Sequence, residues 1–342
     1  MNKILRKKKA YLVFFFLIVA VLLFFNIKKQ ADNGYCLGAN DKFECYESYY
    51  AGIVSKNGVK AAVSELKSDY YSNNYIKSQC HQLIHTIGRT ATKEYKNVSN
   101  AFAQGDFFCW SGYYHGVMEG ILSYNKKLIP NEINTICRDI PGRQQYSFYY
   151  YNCVHGLGHG IMYIKNHELF ESLEICNNLN GSYEQSSCWS GVFMENIIVD
   201  FKDHYTKYLK PEDPLYPCDT VDVKYKNTCY LMQTSHMLKV TAGNFSKVFE
   251  LCSNVEKPYV DICYQSLGRD ASGNSLSNPE MTKQTCTLGK SYRQQYNCVI
   301  GAVADFISYF HSDIQAKEFC SILPSNLQTI CFETTEKYYK LF

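Results

Sequence analysis

Apolar residues recur every three or four positions along most of the chain, which is the spacing of one face of an α-helix. In the stretch 245–252, Phe245, Val248 and Phe249 fall on one such face, and the stretch 298–310, CVIGAVADFISYF, has the same spacing. Short polar loops separate these stretches. The pattern therefore predicts an all-α fold built from amphipathic helices.

The cysteines divide this pattern into units of nearly constant length. One series is spaced by 34, 34 and 34 residues: Cys218, Cys252, Cys286 and Cys320. A second series is spaced by 34, 35 and 33 residues: Cys229, Cys263, Cys298 and Cys331. In each unit one helix leads into the first cysteine, a polar loop follows, and the second cysteine opens another helix. A helix, loop and helix at this period are typical of tetratricopeptide-type solenoids.

The period, the paired cysteines and the fragment CYQSLG at 263–268 resemble the Sel1-like cysteine-rich repeats, over roughly Asn131–Phe342. The resemblance implies disulfide-stapled helix-hairpin repeats that form an α-solenoid-like array with a binding role. One disulfide would join the two helices of each unit. The staples expected on this basis are Cys137–Cys153, Cys176–Cys188, Cys218–Cys229, Cys252–Cys263, Cys286–Cys298 and Cys320–Cys331.

The remaining cysteines predict two further disulfides. Cys36 and Cys45 form one expected pair, and Cys80 and Cys109 are expected to pair across neighbouring units. All sixteen cysteines follow residue 35, and their even number suggests complete pairing in an oxidising compartment. No C-x-x-C motif is present, which disfavours zinc ribbons and c-type haem attachment.

The N-terminal stretch predicts export. Residues 10–25 form an uncharged apolar run of sixteen residues, so we expect a transmembrane signal-anchor over 10–27 after a cytoplasmic basic tail at 1–9. A cleaved signal peptide is the alternative, although no small-x-small cleavage site follows. The positive-inside rule places the N-terminus in the cytoplasm and the bulk outside the cell membrane. The bulk comprises membrane-proximal helical units at 28–130 and regular two-helix repeats at 131–342.

The charge distribution excludes nucleic acid as a partner. The chain has 35 basic and 32 acidic residues, and seven of the basic residues precede the first acidic one, Asp32. The exported part is therefore slightly acidic. Binding to phosphate backbones requires clustered lysines and arginines, and the exported part has no such cluster.

Three stretches of the early units carry candidate metal ligands: CHQLIHTIGR from Cys80, CWSGYYHGVMEG from Cys109 and CVHGLGHGIMY from Cys153. In each stretch two candidate ligands stand four residues apart, so they share a helical face. The predicted ligands are His81, His85, His115, Glu119, His155 and His159. In a solenoid, equivalent helices lie side by side, so we expect these residues to form a ladder on one surface.

Imidazoles with one carboxylate suit zinc, iron, copper or nickel, and do not suit calcium or magnesium. Two alternatives stay open. The histidines could be purely structural, or VHGLGHG at 154–160 could be a loop, which would destroy the spacing of its ligands.

Two functions fit the sequence. One is a membrane-anchored repeat protein that binds a protein or glycan partner, for which the thirty tyrosines would supply contact area. The other is a metal-dependent enzyme, hydrolytic or oxidative, whose site lies on the helices from His81 to His159. Metal storage or sensing is a third possibility. No residue is predicted to be catalytic in its own right.

Overall fold

The computed structural model describes residues 36, 38–125, 129, 132–198 and 206–340. Within these residues the fold is all-α, and the one β-type pairing is an isolated bridge between Lys210 and Asp213. The α-helices are α1 Lys42–Asn57, α2 Val59–Ser72, α3 Asn74–Ala91, α4 Val98–Phe102, α5 Gly112–Tyr124, α6 Ile133–Ile136, α7 Phe148–Ile164, α8 Leu169–Cys176, α9 Ser182–Ile197, α10 Val223–Val240, α11 Phe245–Ser253, α12 Val260–Asn274, α13 Pro279–Cys286, α14 Tyr292–Phe310, α15 Ile314–Ile322 and α16 Ser325–Tyr339.

The predicted basic tail at 1–9 and anchor at 10–27 lie outside the described residues. Among the helices of the described part, none is both long enough and apolar enough to span a bilayer.

The long helices begin at side chains that satisfy their free backbone N–H groups. The Asn73 side chain accepts hydrogen bonds from the backbone N–H groups of Tyr75 and Ile76 at the start of α3. Ser291 and Gln294 form a reciprocal capping box at the start of α14. Such caps each contribute about 1 kcal/mol to the stability of a helix. The helix that carries the first two candidate ligands therefore starts at a defined residue.

The long helices pack one against the next in chain order. The row runs α3, α5, α7, α9, α10, α12, α14 and α16, and the short helices α8, α11, α13 and α15 each pack against the long helix that follows. This is the predicted alternation of a first and a second helix in four of the units; in the unit of Cys218 and Cys229, the described residues before α10 form turns instead of a first helix.

All eight expected disulfides are present, and no cysteine is free. Four of them join a short helix to the next long one, as in Cys252–Cys263 between α11 and α12. Cys80–Cys109 joins α3 to the segment before α5, across neighbouring units as expected. Closing such loops lowers the entropy of the unfolded chain by an equivalent of about 3 kcal/mol each.

Glycines allow the helices of the early units to touch through their backbones. A Cβ atom added at Gly116 of α5 would lie 2.0 Å from the carbonyl oxygen of His85 on α3. One added at Gly158 of α7 would lie 2.2 Å from the carbonyl oxygen of Cys188 on α9. The stretch 154–160 is helical, so the loop alternative is wrong. The cost of glycine inside a helix, about 1 kcal/mol, is offset here by close helix packing.

The row of helices curves until α14, its seventh helix, and the residue after it meet segments near the beginning of the row. The indole Nε1 of Trp110, just before α5, donates to Asp305 Oδ1 on α14 at 3.2 Å. The hydroxyl of Tyr309 lies 3.2 Å from that of Tyr70 on α2. The His311 ring packs on Phe107 with centroids 4.1 Å apart. The helices thus surround a central space, which an extended solenoid would leave open.

Candidate metal centre

The predicted ligands come together in one interior cluster. They lie two on each of three neighbouring helices: His81 and His85 on α3, His115 and Glu119 on α5, and His155 and His159 on α7. Only His81 keeps part of its surface exposed, whereas Glu119 and His159 are 0% exposed. The expected ladder on a surface is therefore not what forms. The glycine contacts bring the three helices so close that their ligand-bearing faces meet inside the protein.

His81 and His85 are held by hydrogen bonds at their Nδ1 atoms. His81 Nδ1 lies 2.8 Å from the carbonyl oxygen of Cys109, and His85 Nδ1 lies 2.7 Å from Glu119 Oε1. A carbonyl oxygen and an ionised carboxylate only accept, so both Nδ1 atoms carry the hydrogen. Partners of this kind orient metal-binding histidines and fix their tautomer. Both Nε2 atoms are thereby left with free lone pairs.

The two Nε2 atoms of this pair lie 3.2 Å apart. Two lone pairs that face each other at this distance repel, unless a proton or a cation lies between them. Two nitrogens bound to one tetrahedral zinc ion at about 2.0–2.1 Å would be roughly 3.3 Å apart. The observed spacing of 3.2 Å is close to this value.

His155 and His159 on α7 repeat this geometry with different partners. His159 Nδ1 donates to Glu195 Oε2 at 2.6 Å. His155 Nδ1 lies 2.7 Å from Ser190 Oγ and 3.1 Å from the hydroxyl oxygen of Tyr151, and both contacts hold the ring in place. The Nε2 atoms of the two histidines are again 3.2 Å apart.

His115 lies between the two pairs and is held differently. Its ring stacks on that of His159 with centroids 4.2 Å apart, and the ring of His81 is 5.2 Å away. Its Nδ1 is buried and has no hydrogen-bond partner. Burying an imidazole nitrogen without a hydrogen-bond partner destabilises the folded protein, unless a ligand binds to that nitrogen.

Three overlapping sets place their ligand atoms within 4.8 Å of one another: His81, His85 and His115; His115, His155 and His159; and His85, Glu119 and His159. Each set could hold a metal ion.

Glu119 does not pair with His115, although the two stand four residues apart on α5. Its Oε1 accepts from His85 and its Oε2 accepts from Arg89 Nη1 at 2.6 Å. Both oxygens are therefore engaged across the crossing to α3. Glu119 thus contacts His85 and Arg89 instead of His115, and with His85 and His159 it also forms one of the three sets that could hold an ion.

Glu195, Ser190 and Arg89 were missed in the sequence. Glu195 and Ser190 belong to CWSGVFME at 188–195, the second copy of the CWSG tetrapeptide. The first copy, CWSGYYHGVME at 109–119, also ends in a glutamate that accepts from a histidine on the preceding long helix. The shared ending of the two stretches was the available signal.

The first CWSG copy has a strained backbone beside the site. Cys109, Trp110 and Ser111 have φ angles of 54°, 54° and 61°, whereas the second copy lies within the regular helix α9. Left-handed residues other than glycine cost about 1–2 kcal/mol each. This turn places the Cys109 carbonyl oxygen against His81 and the Trp110 ring in the central space. Strain of this kind concentrates at functional sites.

Burial lowers the pKa of His81, His85, His115 and His155 and so favours their neutral forms. It lowers the pKa of His81 to about 3, with a further contribution from His85, and it lowers the pKa of His115 and His155 well below the usual value. Burial alone would raise the pKa of Glu119, yet His85 and Arg89 hold it at about 2. The cluster thus pairs neutral imidazoles with an ionised carboxylate, which are the forms that support metal binding.

Two cavities reach the cluster from different sides. One, of about 180 Å³, occupies the central space and touches His81. Its other walls include Trp110, Met194, Met232, Arg269 and Asp305. The second, of about 310 Å³, touches His85 and Arg89 and is more polar. The central cavity gives a small molecule access to the partly exposed His81.

Comparison with protein-family models, with curated proteins and with solved structures finds no match.

Proposed function

We propose that this protein is a metal-dependent enzyme that acts on a small molecule in an oxidising, extracytoplasmic compartment, anchored to the membrane by residues 10–27. The observation that carries the proposal is the pair of Nε2 atoms of His81 and His85, 3.2 Å apart, with both Nδ1 atoms anchored by acceptors. Eight disulfides support the compartment, because they persist where the surroundings oxidise.

His81, His85 and His115 would hold the ion in the first site. Three imidazole ligands suit zinc, iron or copper, and they leave a coordination position for water or substrate. An ion bound there supplies Lewis acidity for hydrolysis or a site for oxidative chemistry. Glu119 and the Cys109 carbonyl oxygen keep the two α3 imidazoles in the required tautomer, and Arg89 holds Glu119 in place.

The central cavity supports a small substrate. Its volume of about 180 Å³ is below the range of most drug-sized ligand sites, so a folded partner cannot enter it. The alternative, a surface that binds a protein or glycan, remains a prediction. Exposed tyrosines such as Tyr71, Tyr124 and Tyr292 lie on α2, α5 and α14.

The test is the metal content of the full-length protein, purified in mild detergent because of its apolar N-terminal segment. We expect about one or more zinc, iron or copper ions per chain by elemental mass spectrometry. The His85→Gln variant should lose metal from the first site. The matched control is His236→Gln, since His236 is also buried but lies outside the cluster and bonds to the Lys210 carbonyl oxygen.

Absence of metal from the wild-type protein after incubation with each of the three metals would overturn the proposal. The same holds if the His85 and His236 variants retain metal equally.

A further inference from the structure

The histidine pair on α7 has a sulfur neighbour that the pair on α3 lacks. Met194 Sδ, one turn before the end of α9, lies 3.3 Å from His155 Nε2. That nitrogen also faces His159 Nε2 at 3.2 Å. The Nε2 atoms of His155 and His159 and the Met194 sulfur are therefore three neighbouring atoms, each of which can bind a metal ion.

A thioether selects for soft metal ions. Methionine sulfur is a common ligand of monovalent copper and is rarely a ligand of zinc, whereas imidazole binds both. The charge around the pair favours a monovalent ion as well. The closest carboxylate is Glu195, which is 0% exposed and accepts from His159 at 2.6 Å. Glu119 is also near His159, but it is paired with Arg89 at 2.6 Å, so the carboxylates leave one negative charge to balance one positive charge in this buried site of low dielectric constant.

We propose a second metal site next to the first, in which His155, His159 and the Met194 thioether bind monovalent copper. This proposal rests on the metal-dependent function proposed above. It specifies which ion the His155 and His159 half of the cluster binds. His115 belongs to a three-histidine set with each pair and stands between the two sites.

The second site adjoins the same cavity as the first. Met194 and His81 both line the central cavity of about 180 Å³, one from α9 and the other from α3. A small molecule in the cavity therefore contacts one ligand of each site. The structure pairs a three-imidazole site with a thioether-containing site on two walls of one chamber.

The experiment uses the full-length protein in detergent, stripped of metal and reloaded under anaerobic conditions with zinc, with monovalent copper, or with both. Metal per chain is measured after desalting, and the affinity for monovalent copper is measured by competition with a chelator of known affinity. We expect one copper ion bound together with zinc, and a sulfur neighbour of copper in X-ray absorption spectra. Met194→Leu should remove that sulfur signal and weaken copper binding about 10-fold or more, while zinc binding is retained.

Met232→Leu is the matched control, because Met232 also lines the cavity but contacts Arg269 on α12, away from the histidines. This variant should bind both zinc and monovalent copper as the wild-type protein does. If Met194→Leu leaves copper affinity and the sulfur signal unchanged while zinc still binds, this proposal is overturned and the first site stands. If the wild-type protein binds neither metal, both proposals fail.

Discussion

Two helix crossings in this protein share a backbone arrangement and differ in chemistry. At the crossing of α3 with α5, a Cβ at Gly116 would lie 2.0 Å from the His85 carbonyl oxygen; at that of α12 with α14, a Cβ at Gly301 would lie 1.8 Å from the Gln265 carbonyl oxygen. The sequences agree as well, since HTIGR at 85–89 corresponds to QSLGR at 265–269. The glycine and arginine recur, and histidine is replaced by glutamine.

The difference lies in how the polar groups are satisfied. At the second crossing, Gln265 Nε2 donates to Asn297 Oδ1 at 2.9 Å, and Arg269 pairs with Asp270 at 2.7 Å. In both of these contacts a donor meets an acceptor without a ligand. At the first crossing, the acceptor nitrogens of His81 and His85 face each other. The glycines therefore serve the packing at both crossings, and of the two crossings only the first carries side chains that could hold a metal ion.

The largest expected effect is the loss of either crossing. Gly116→Val or Gly301→Val places side-chain atoms inside the backbone of the neighbouring helix, so each should cost above about 5 kcal/mol and prevent folding. Circular dichroism and denaturant titration would measure this. Gly52→Ala is the control, since a Cβ at Gly52 of α1 meets nothing within 4 Å. It should be neutral or stabilising by up to about 1 kcal/mol. A folded Gly301→Val variant would contradict the shared architecture.

Metal should stabilise the first crossing and leave the second unaffected. With zinc present at about 1,000 times its dissociation constant, chelation should lower the free energy of unfolding by about 4 kcal/mol. The His81→Gln/His85→Gln double variant should unfold at the same denaturant concentration with and without chelator. Gln265→Ala should keep the full chelator effect. Equal chelator effects in the wild-type and the double variant would place the metal elsewhere.

The local part of this fold follows from the sequence and the long-range part does not. Six staples were predicted because each links cysteines 11 to 16 residues apart within one repeating unit, and all six form. The contact of Trp110 with Asp305 spans 195 residues, and that of Tyr309 with Tyr70 spans 239. Such closure depends on a small rotation summed over many helix pairs, which no local pattern encodes.

In the candidate site, too, the contacts within one helix follow from the sequence and the contacts between helices do not. Spacing along a helix brought out His81 with His85 and His155 with His159, and both pairs have Nε2 atoms 3.2 Å apart. The same rule pairs Glu119 with His115, whereas the hydrogen-bond partners of Glu119 are His85 and Arg89, across the crossing on α3. Which residue of the next helix contacts a candidate ligand depends on how the two helices are aligned where they cross. The close contacts of the glycines fix that alignment, and these contacts are visible only in the folded structure.

The buried carboxyl group of Asp305 on α14 should make the stability of the second crossing depend on pH. Burial raises the pKa of this carboxyl from 3.8 to about 6, although Arg269 and the Trp110 hydrogen bond oppose the shift and Asp270 adds to it. The folded state therefore holds a proton that the unfolded state releases between these pH values. The contribution of Asp305 to the free energy of unfolding should therefore be largest below about pH 4. It should fall by up to about 3 kcal/mol as the pH rises through 6.

The measurement is the free energy of unfolding of the metal-free protein at pH 4 to 7, for the wild-type and for Asp305→Asn. The asparagine variant removes the ionisable group while keeping an acceptor for the Trp110 indole, so the fall between pH 4 and 7 should shrink. Identical pH dependence in both proteins would show that Asp305 keeps an ordinary pKa.

The smallest expected effect comes from the hydrogen bond between Gln265, which occupies the position of His85, and Asn297. Gln265→Ala leaves Asn297 Oδ1 without its donor in a side chain that is 4% exposed, which should cost about 1–2 kcal/mol in the free energy of unfolding. Gln144→Ala, at an exposed position, should change it by less than about 0.5 kcal/mol. The cost at Gln265 should be the same with and without chelator. A cost that appears only with metal bound would mean that the two crossings are coupled, and that the second one supports the metal centre through the shared cavity.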